Sequence, residues 1–225
     1  MPIFIVSMHI YITTTPTPPE RTIMKLYYSP GVCSLAPHIA LREAGLDFTL
    51  EKVDSATKRT ERGADYLAVN PNGYVPALEI EAGLVLTEGP AIMQYIADQA
   101  SAAKLAPEAG SMERYRLLSW LNFITSEIHK GFSPLFKPGM PAEAKTLFRE
   151  QLAQRFDVAE RRLSQHDYLL DSGFSIADAY LFVTTGWSGF VDIDLKKWPA
   201  ISAFRERLLQ RASVREAMRA EGLLK

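Results

Sequence analysis

The chain has 225 residues, enough for one large hydrophobic core or two modest ones. Hydrophobic residues make up 47%, and a net charge of −1 argues against a surface built for nucleic acid. A single cysteine excludes an intrachain disulfide, four scattered histidines argue against a metal site, and no apolar run reaches membrane-spanning length. The cysteine and histidine usage fits a reducing compartment.

Residues 1–12 are apolar enough for a signal segment but lack a basic start, and the Thr/Pro stretch at 13–19 offers no small-residue cleavage site. The reading is a disordered extension over 1–23, with Met24 as the functional start and a cryptic targeting segment as the lesser alternative. A strand over 25–28 leads through Ser29-Pro30-Gly31 to a helix over about 34–44, stopped by Gly45. Cys33 then sits at a helix start, where unpaired N–H groups favour an anion and a reactive thiolate. The alternative is an inert, buried cysteine.

A second strand spans 48–53, and after a charged loop a short helix spans 64–69. Asn70-Pro71-Asn72-Gly73 forms a turn, and a strand over 75–80 contains Pro76 at its start. Glu81-Ala82-Gly83 is hairpin chemistry leading into 84–86. The helix over 90–99 opens on Pro90, with Thr87-Glu88-Gly89 as its cap. Glu88 and the exposed N–H groups can serve as a plain cap, as a site for an amino acid's ammonium and carboxylate, or both.

Residues 101–111 read as a linker, and the rest as helices near 112–130, 142–165, 175–187 and 199–220. Asn122, Ser126 and His129 fall at i, i+4 and i+7 of one helix, either as a cleft wall or as a partly solvated face with a satisfied histidine. Ser175 and Asp178 form a capping-box signal and are assigned to folding. Glu160-Arg161-Arg162 and Arg205-Glu206-Arg207 read as solvated helix faces. The architecture is a small α/β layer followed by an all-helical unit.

In order along the chain, Met24-Lys25-Leu26-Tyr27-Tyr28, Pro30-Gly31-Val32-Cys33-Ser34-Leu35, Asn70 to Pro76, Leu86-Thr87-Glu88-Gly89-Pro90 and Glu127-Ile128-His129-Lys130-Gly131 are similar to the bacterial beta-class glutathione transferases. The resemblance runs from Met24 to Lys225. It implies a thioredoxin-like glutathione-binding domain over 24–100, the linker over 101–111 and an all-α domain over 112–225. It also implies a cytoplasmic homodimer acting on glutathione and a small hydrophobic electrophile, with no metal, nucleic acid or membrane partner.

By the same resemblance, Cys33 faces the glutathione sulfur and Val75 pairs main chain to main chain with the cysteinyl part, beside a cis Pro76. Glu88 and Gly89 hold the γ-glutamyl end, and Lys58 the glycyl carboxylate. Asn122, Ser126, Glu127, Ile128 and His129 line the helical side, in part toward the partner subunit's ligand. Ser34 and His129 are candidates to steady the thiolate. Asn72 and Tyr74 stand where Lys and Gln are expected in this family, Pro90 replaces a small aliphatic residue, and Asp171-Ser172-Gly173 is an unusual helix entry. The expected activity is conjugation of the glutathione thiolate to electrophiles. The alternatives are thiol–disulfide exchange through Cys33 without a second cysteine, and non-catalytic ligand binding.

Overall fold

Strict alternation builds the first strand. In β1 (Met24–Tyr28), Met24, Leu26 and Tyr28 join the main core, while Tyr27 points to the opposite face against Val53, Tyr66 and Ala77. The structure, a computed structural model, describes residues 23–225, so all of the expected extension except Ile23 lies outside the described residues.

A helix, α1 (Leu35–Ala44), ends at Gly45, whose φ of 64° lies in the left-handed region that a side chain disfavours. It returns the chain to β2 (Phe48–Asp54), parallel to β1 with Met24 opposite Phe48. A two-residue strand, β3 (Arg59–Thr60), pairs with the end of β2 where a charged loop was expected. Its basis is a tight chain reversal that sets Thr60 opposite Val53 and Arg59 opposite Asp54, in a segment with no apolar alternation to announce a strand. The expected helix over 64–69 is a single 3-10 turn at Tyr66–Ala68, capped by the Asp65 carboxylate on the Leu67 N–H.

The antiparallel hairpin of β4 (Ala77–Glu81) and β5 (Leu84–Thr87) lies on the other side of β1, completing a sheet of order β3-β2-β1-β4-β5. β4 begins only after the Val75–Pro76 peptide, which is cis, as the family resemblance implied. α2 (Gly89–Gln99) then packs with α1 on one face of the sheet.

The helical part begins with α3 (Met112–Phe123), which runs through a wide π turn at Ile124–His129 into α4 (Lys130–Phe136). α5 (Ala142–Leu163) follows, then α6 (Ile176–Thr185), every residue of which is buried. The Ser175 N–H and hydroxyl donate to the Asp178 carboxylate at 2.8 and 2.7 Å, forming the expected cap of α6. The single helix expected over 199–220 is two, α7 (Pro199–Leu209) and α8 (Ala212–Ala220), because Arg211 is extended. Glu160 is no solvated-face residue: its carboxylate accepts the Ala200 and Ile201 N–H groups and caps α7.

One hydrophobic cluster runs from Leu26, Ile39 and Ile92 in the α/β layer to Ile128, Phe156 and Leu181 among the helices. Even the 101–111 segment contributes, burying Leu105, whose carbonyl accepts the Ile176 N–H at 3.0 Å. Among the described residues no helix is long and apolar enough to cross a membrane.

Candidate active site

Cys33 lies in the turn between β1 and α1, one residue before the Ser34 cap position. Its thiol donates to the Val75 carbonyl at 3.2 Å, which ties the loop to the residue preceding the cis bond. The expected depressed thiol is not found. Burial pushes the Cys33 thiol up to about 11, the nearby Cys33 and Ser34 N–H groups offset only part of that, and Glu88 raises it further. Cys33 is therefore a protonated thiol near neutral pH.

Ser34 is fully buried, and its hydroxyl is occupied on both sides of the same residue. It accepts the Ser29 N–H and donates to the Ser29 carbonyl, each at 3.1 Å. With its one proton engaged, it closes the Ser29–Ser34 loop and does not serve a thiolate, which corrects its expected catalytic role. Two more contacts brace the loop: the Trp187 indole N–H donates to the Gly31 carbonyl, and the Gly31 N–H donates to the Glu221 carboxylate, both at 2.9 Å.

On the sheet side, Tyr66 and Asn70 both donate to the Tyr74 carbonyl at 2.7 Å. They fix the backbone just before Val75, a duty no sequence pattern announced. Lys58 donates to the Gly73 carbonyl at 2.9 Å and is only partly exposed, so its ammonium sits beside this same loop. Asn72 and Tyr74 are both exposed, so the departures at these positions leave the backbone brace intact. Glu88 is exposed at the start of α2 with a φ of 67°, and its side chain makes no cap hydrogen bond. The plain-cap reading fails, and among the described residues the carboxylate has no hydrogen-bond partner. A Cβ added to Gly89 would lie 3.8 Å from the Pro76 ring, so α2 starts directly against the Val75–Pro76 corner.

The helical wall is supplied by His129. Its Nδ1 is 2.6 Å from the Tyr180 hydroxyl, and its ring packs edge-on to Trp187 at 5.0 Å between centroids. Burial, with a smaller effect of Lys130, lowers its pKa to about 4, so the imidazole is neutral at pH 7. His129 and Cys33 line the same cavity of about 630 Å³, whose other walls are largely apolar and include Phe132, Phe136, Val183 and Trp187.

The other expected members of the helical wall do not join them. Asn122 and Ser126 are exposed, and their side chains fold back onto the Leu118 and Asn122 carbonyls. The π turn winds more residues per turn than an α-helix, so His129 leaves the face that i, i+4 and i+7 spacing assigns it. Ile128 is fully buried in the core, and Glu127 pairs with Arg155 of α5 at 2.6 Å. Within one chain, both are packing or bridging residues.

Arg205, expected on a solvated face, instead lines the cavity. Its guanidinium donates to the Phe182 carbonyl and the Thr185 hydroxyl at the end of α6. Trp187 and Glu221 reach Gly31 from 156 and 190 residues away and Arg205 reaches α6 from about twenty, distances that periodicity cannot register. Tyr66 and Asn70 act on nearby Tyr74 through side-chain-to-backbone bonds that no residue pattern marks.

Comparison with known proteins follows this geometry closely. The profile described as Glutathione S-transferase, N-terminal domain matches residues 31–99, and that of the C-terminal domain matches residues 123–212. Glutathione S-transferase GstA of Escherichia coli O157:H7 is 48% identical over 89% of this chain and its own full length. A sphingomonad glutathione S-transferase solved in complex with glutathione is 50% identical, with a TM-score of 0.86 over 88% of this chain and 99% of its own. The beta-class glutathione S-transferase of Sphingomonas chungbukensis is likewise 50% identical, with a TM-score of 0.86 over 89% and 100%.

Proposed function

Because the chain belongs to the glutathione S-transferase family, in its bacterial beta class, we propose that glutathione lies along the Cys33–Val75–Glu88 corner and reacts with an electrophile held in the cavity above it. The fold is a thioredoxin-like domain followed by an all-helical one, for which we take the boundaries 24–100 and 112–225 joined by 101–111.

The observation that carries this reading is the Cys33 thiol, which donates to the carbonyl of the braced Val75 and, with His129, lines one mainly apolar cavity. The Val75 main chain pairs with the cysteinyl part of glutathione. The Glu88 carboxylate and the Gly89 N–H take the γ-glutamyl ammonium and carboxylate, and Lys58 the glycyl carboxylate. The glutathione sulfur then meets a cysteine that keeps its proton. As the Val75 carbonyl passes to the cysteinyl amide of glutathione, the Cys33 S–H that it held turns to the thiolate and donates a hydrogen bond there, so the negative charge rests on the substrate sulfur and not on the protein. That sulfur bonds to the electrophilic carbon, and the leaving group departs with its electron pair. His129, neutral and held by Tyr180, forms the polar edge of the cavity.

Disulfide exchange through Cys33 fits less well, since a thiol near 11 is rarely a thiolate at neutral pH. Exposed Asn122 and Ser126 fit a homodimer in which they reach the partner's glutathione, and the enzyme works in the cytoplasm.

The deciding experiment is glutathione conjugation to 1-chloro-2,4-dinitrobenzene by wild type and Cys33→Ala. Clear turnover in both establishes a transferase whose thiolate comes from glutathione. No turnover in either, with glutathione still bound, moves the protein to disulfide exchange or ligand carriage.

A further inference from the structure

Arg205 is a cation on the wall of a mainly apolar cavity, an arrangement that is costly unless something uses the charge. Arg42, Arg114, Arg155 and Arg211 each meet a carboxylate. Arg205 meets none among the described residues. Its hydrogen bonds all run through Nη1, to the Phe182 carbonyl and the Thr185 hydroxyl. The Phe182 ring lies 4.6 Å from the guanidinium carbon, which fixes the plane of the group.

Among the described residues, Nε and Nη2 have no hydrogen-bond partner. Gly186 makes that possible: a Cβ there would lie 3.1 Å from Nη2 and 3.2 Å from Nη1. A helix-capping role for α6 needs only the Nη1 contacts. It accounts neither for the open side of the fork nor for its place in the cavity that holds Cys33 and His129. Burial lowers the guanidinium pKa to about 10, so the group is still charged at neutral pH.

We infer that Arg205 selects the electrophile: the cavity takes a flat, apolar molecule carrying a carboxylate, whose two oxygens pair with the open side of the guanidinium. This deepens the transferase reading and rests on it. The planar fork matches a carboxylate in two parallel hydrogen bonds, and the aromatic walls hold the ring. For 4-chloro-3-nitrobenzoate, the glutathione sulfur would bond to the chlorine-bearing carbon. The carbon–chlorine bond would break with chloride keeping the electron pair, and the carboxylate would remain unchanged.

The test compares 4-chloro-3-nitrobenzoate with its neutral amide, each rate divided by that of the uncatalysed reaction. The wild type is expected to prefer the acid at least 10-fold in kcat/KM, and Arg205→Met to lose that preference. Arg205→Lys, which keeps the charge without the fork, should keep only part of it. Equal use of acid and amide by the wild type, or an intact preference in Arg205→Met, overturns the assignment. Calorimetric binding of 4-nitrobenzoate against 4-nitrobenzamide to the wild type needs neither turnover nor a folded variant. Tighter binding of the acid supports the site, and equal binding removes it. Failure of the transferase reading shows separately, as no conjugation of 1-chloro-2,4-dinitrobenzene.

Discussion

Glu221 and His38 meet as a fully buried pair, with the His38 Nδ1 at 2.8 Å from one carboxylate oxygen while the other oxygen accepts the Gly31 N–H. The Arg42 guanidinium donates to the opposite ring nitrogen of His38, which leaves the ring proton on the side facing Glu221. A residue just after α8 thus fastens the loop that carries Cys33.

Replacing Glu221 with Ala strands a buried imidazole N–H and loosens Gly31. A loss of about 2 kcal/mol is expected, which for a chain of this size lowers Tm by about 4–8 °C. The glutathione KM should rise in the same variant, because the turn before α1 loses its brace. Thermal unfolding and steady-state kinetics check the two effects, and an unchanged KM would show that the brace has no bearing on binding.

Glu88 allows the fold to be separated from binding. Its φ of 67° is costly for a side-chain-bearing residue. Glu88→Gly is therefore expected to leave Tm unchanged or raise it, by about 1 kcal/mol of relieved strain. The same change removes the carboxylate proposed to meet the γ-glutamyl ammonium, so the glutathione KM should rise about 10-fold or more. A wild-type KM in this variant would place the γ-glutamyl end elsewhere.

Cys33 should alkylate slowly. With the thiol near 11, roughly one molecule in 10⁴ carries the thiolate at pH 7. The iodoacetamide rate should climb about tenfold for each pH step toward 11, following the thiolate fraction. A plateau already at pH 7 would mean an activated cysteine and would revive disulfide exchange as the chemistry.

His129 predicts an acid limb in stability. Its pKa is about 4 in the folded chain against an ordinary value of 6.5, so the unfolded chain binds more protons between those values. The contribution is complete above pH 6.5, is lost as pH falls toward 4, and does not change further below that. His129→Phe should flatten this part of the urea-denaturation profile. Tyr180→Phe, which removes the 2.6 Å contact to the ring, should lower kcat/KM about tenfold while changing stability by about 1 kcal/mol. A conjugation rate unaffected by Tyr180→Phe would take the positioned imidazole out of the reaction.

Local chemistry made much of this architecture readable in advance. Gly45 ends α1, Ser175 and Asp178 begin α6, and alternation in Met24–Tyr28 places a strand, because each signal acts within a few residues. The placement of Cys33 was also readable, but its protonation was not, since burial depends on everything that packs over the turn. Ser34 could have faced either way until Ser29 claimed both sides of its hydroxyl. The Asn122–Ser126–His129 stripe failed because the spacing assumed an α-helix, and a π turn has no residue signature in Ile124–His129. Arg205, the first residue of a charged run in sequence, is turned inward beside Gly186 and Phe182, both about twenty residues away.

The shared hydrophobic cluster bears on how the chain is made. α1 packs on α6 and α8 as well as on α2, so the ribosome releases the whole α/β layer before the partners of one of its helix faces exist. The Gly31–Glu221 bond spans 190 residues. At about 5–20 residues per second, the Cys33 turn waits on the order of 10–40 s for its last fastening. The Cys33 turn therefore matures late in synthesis, although its residues are among the first of the fold to emerge.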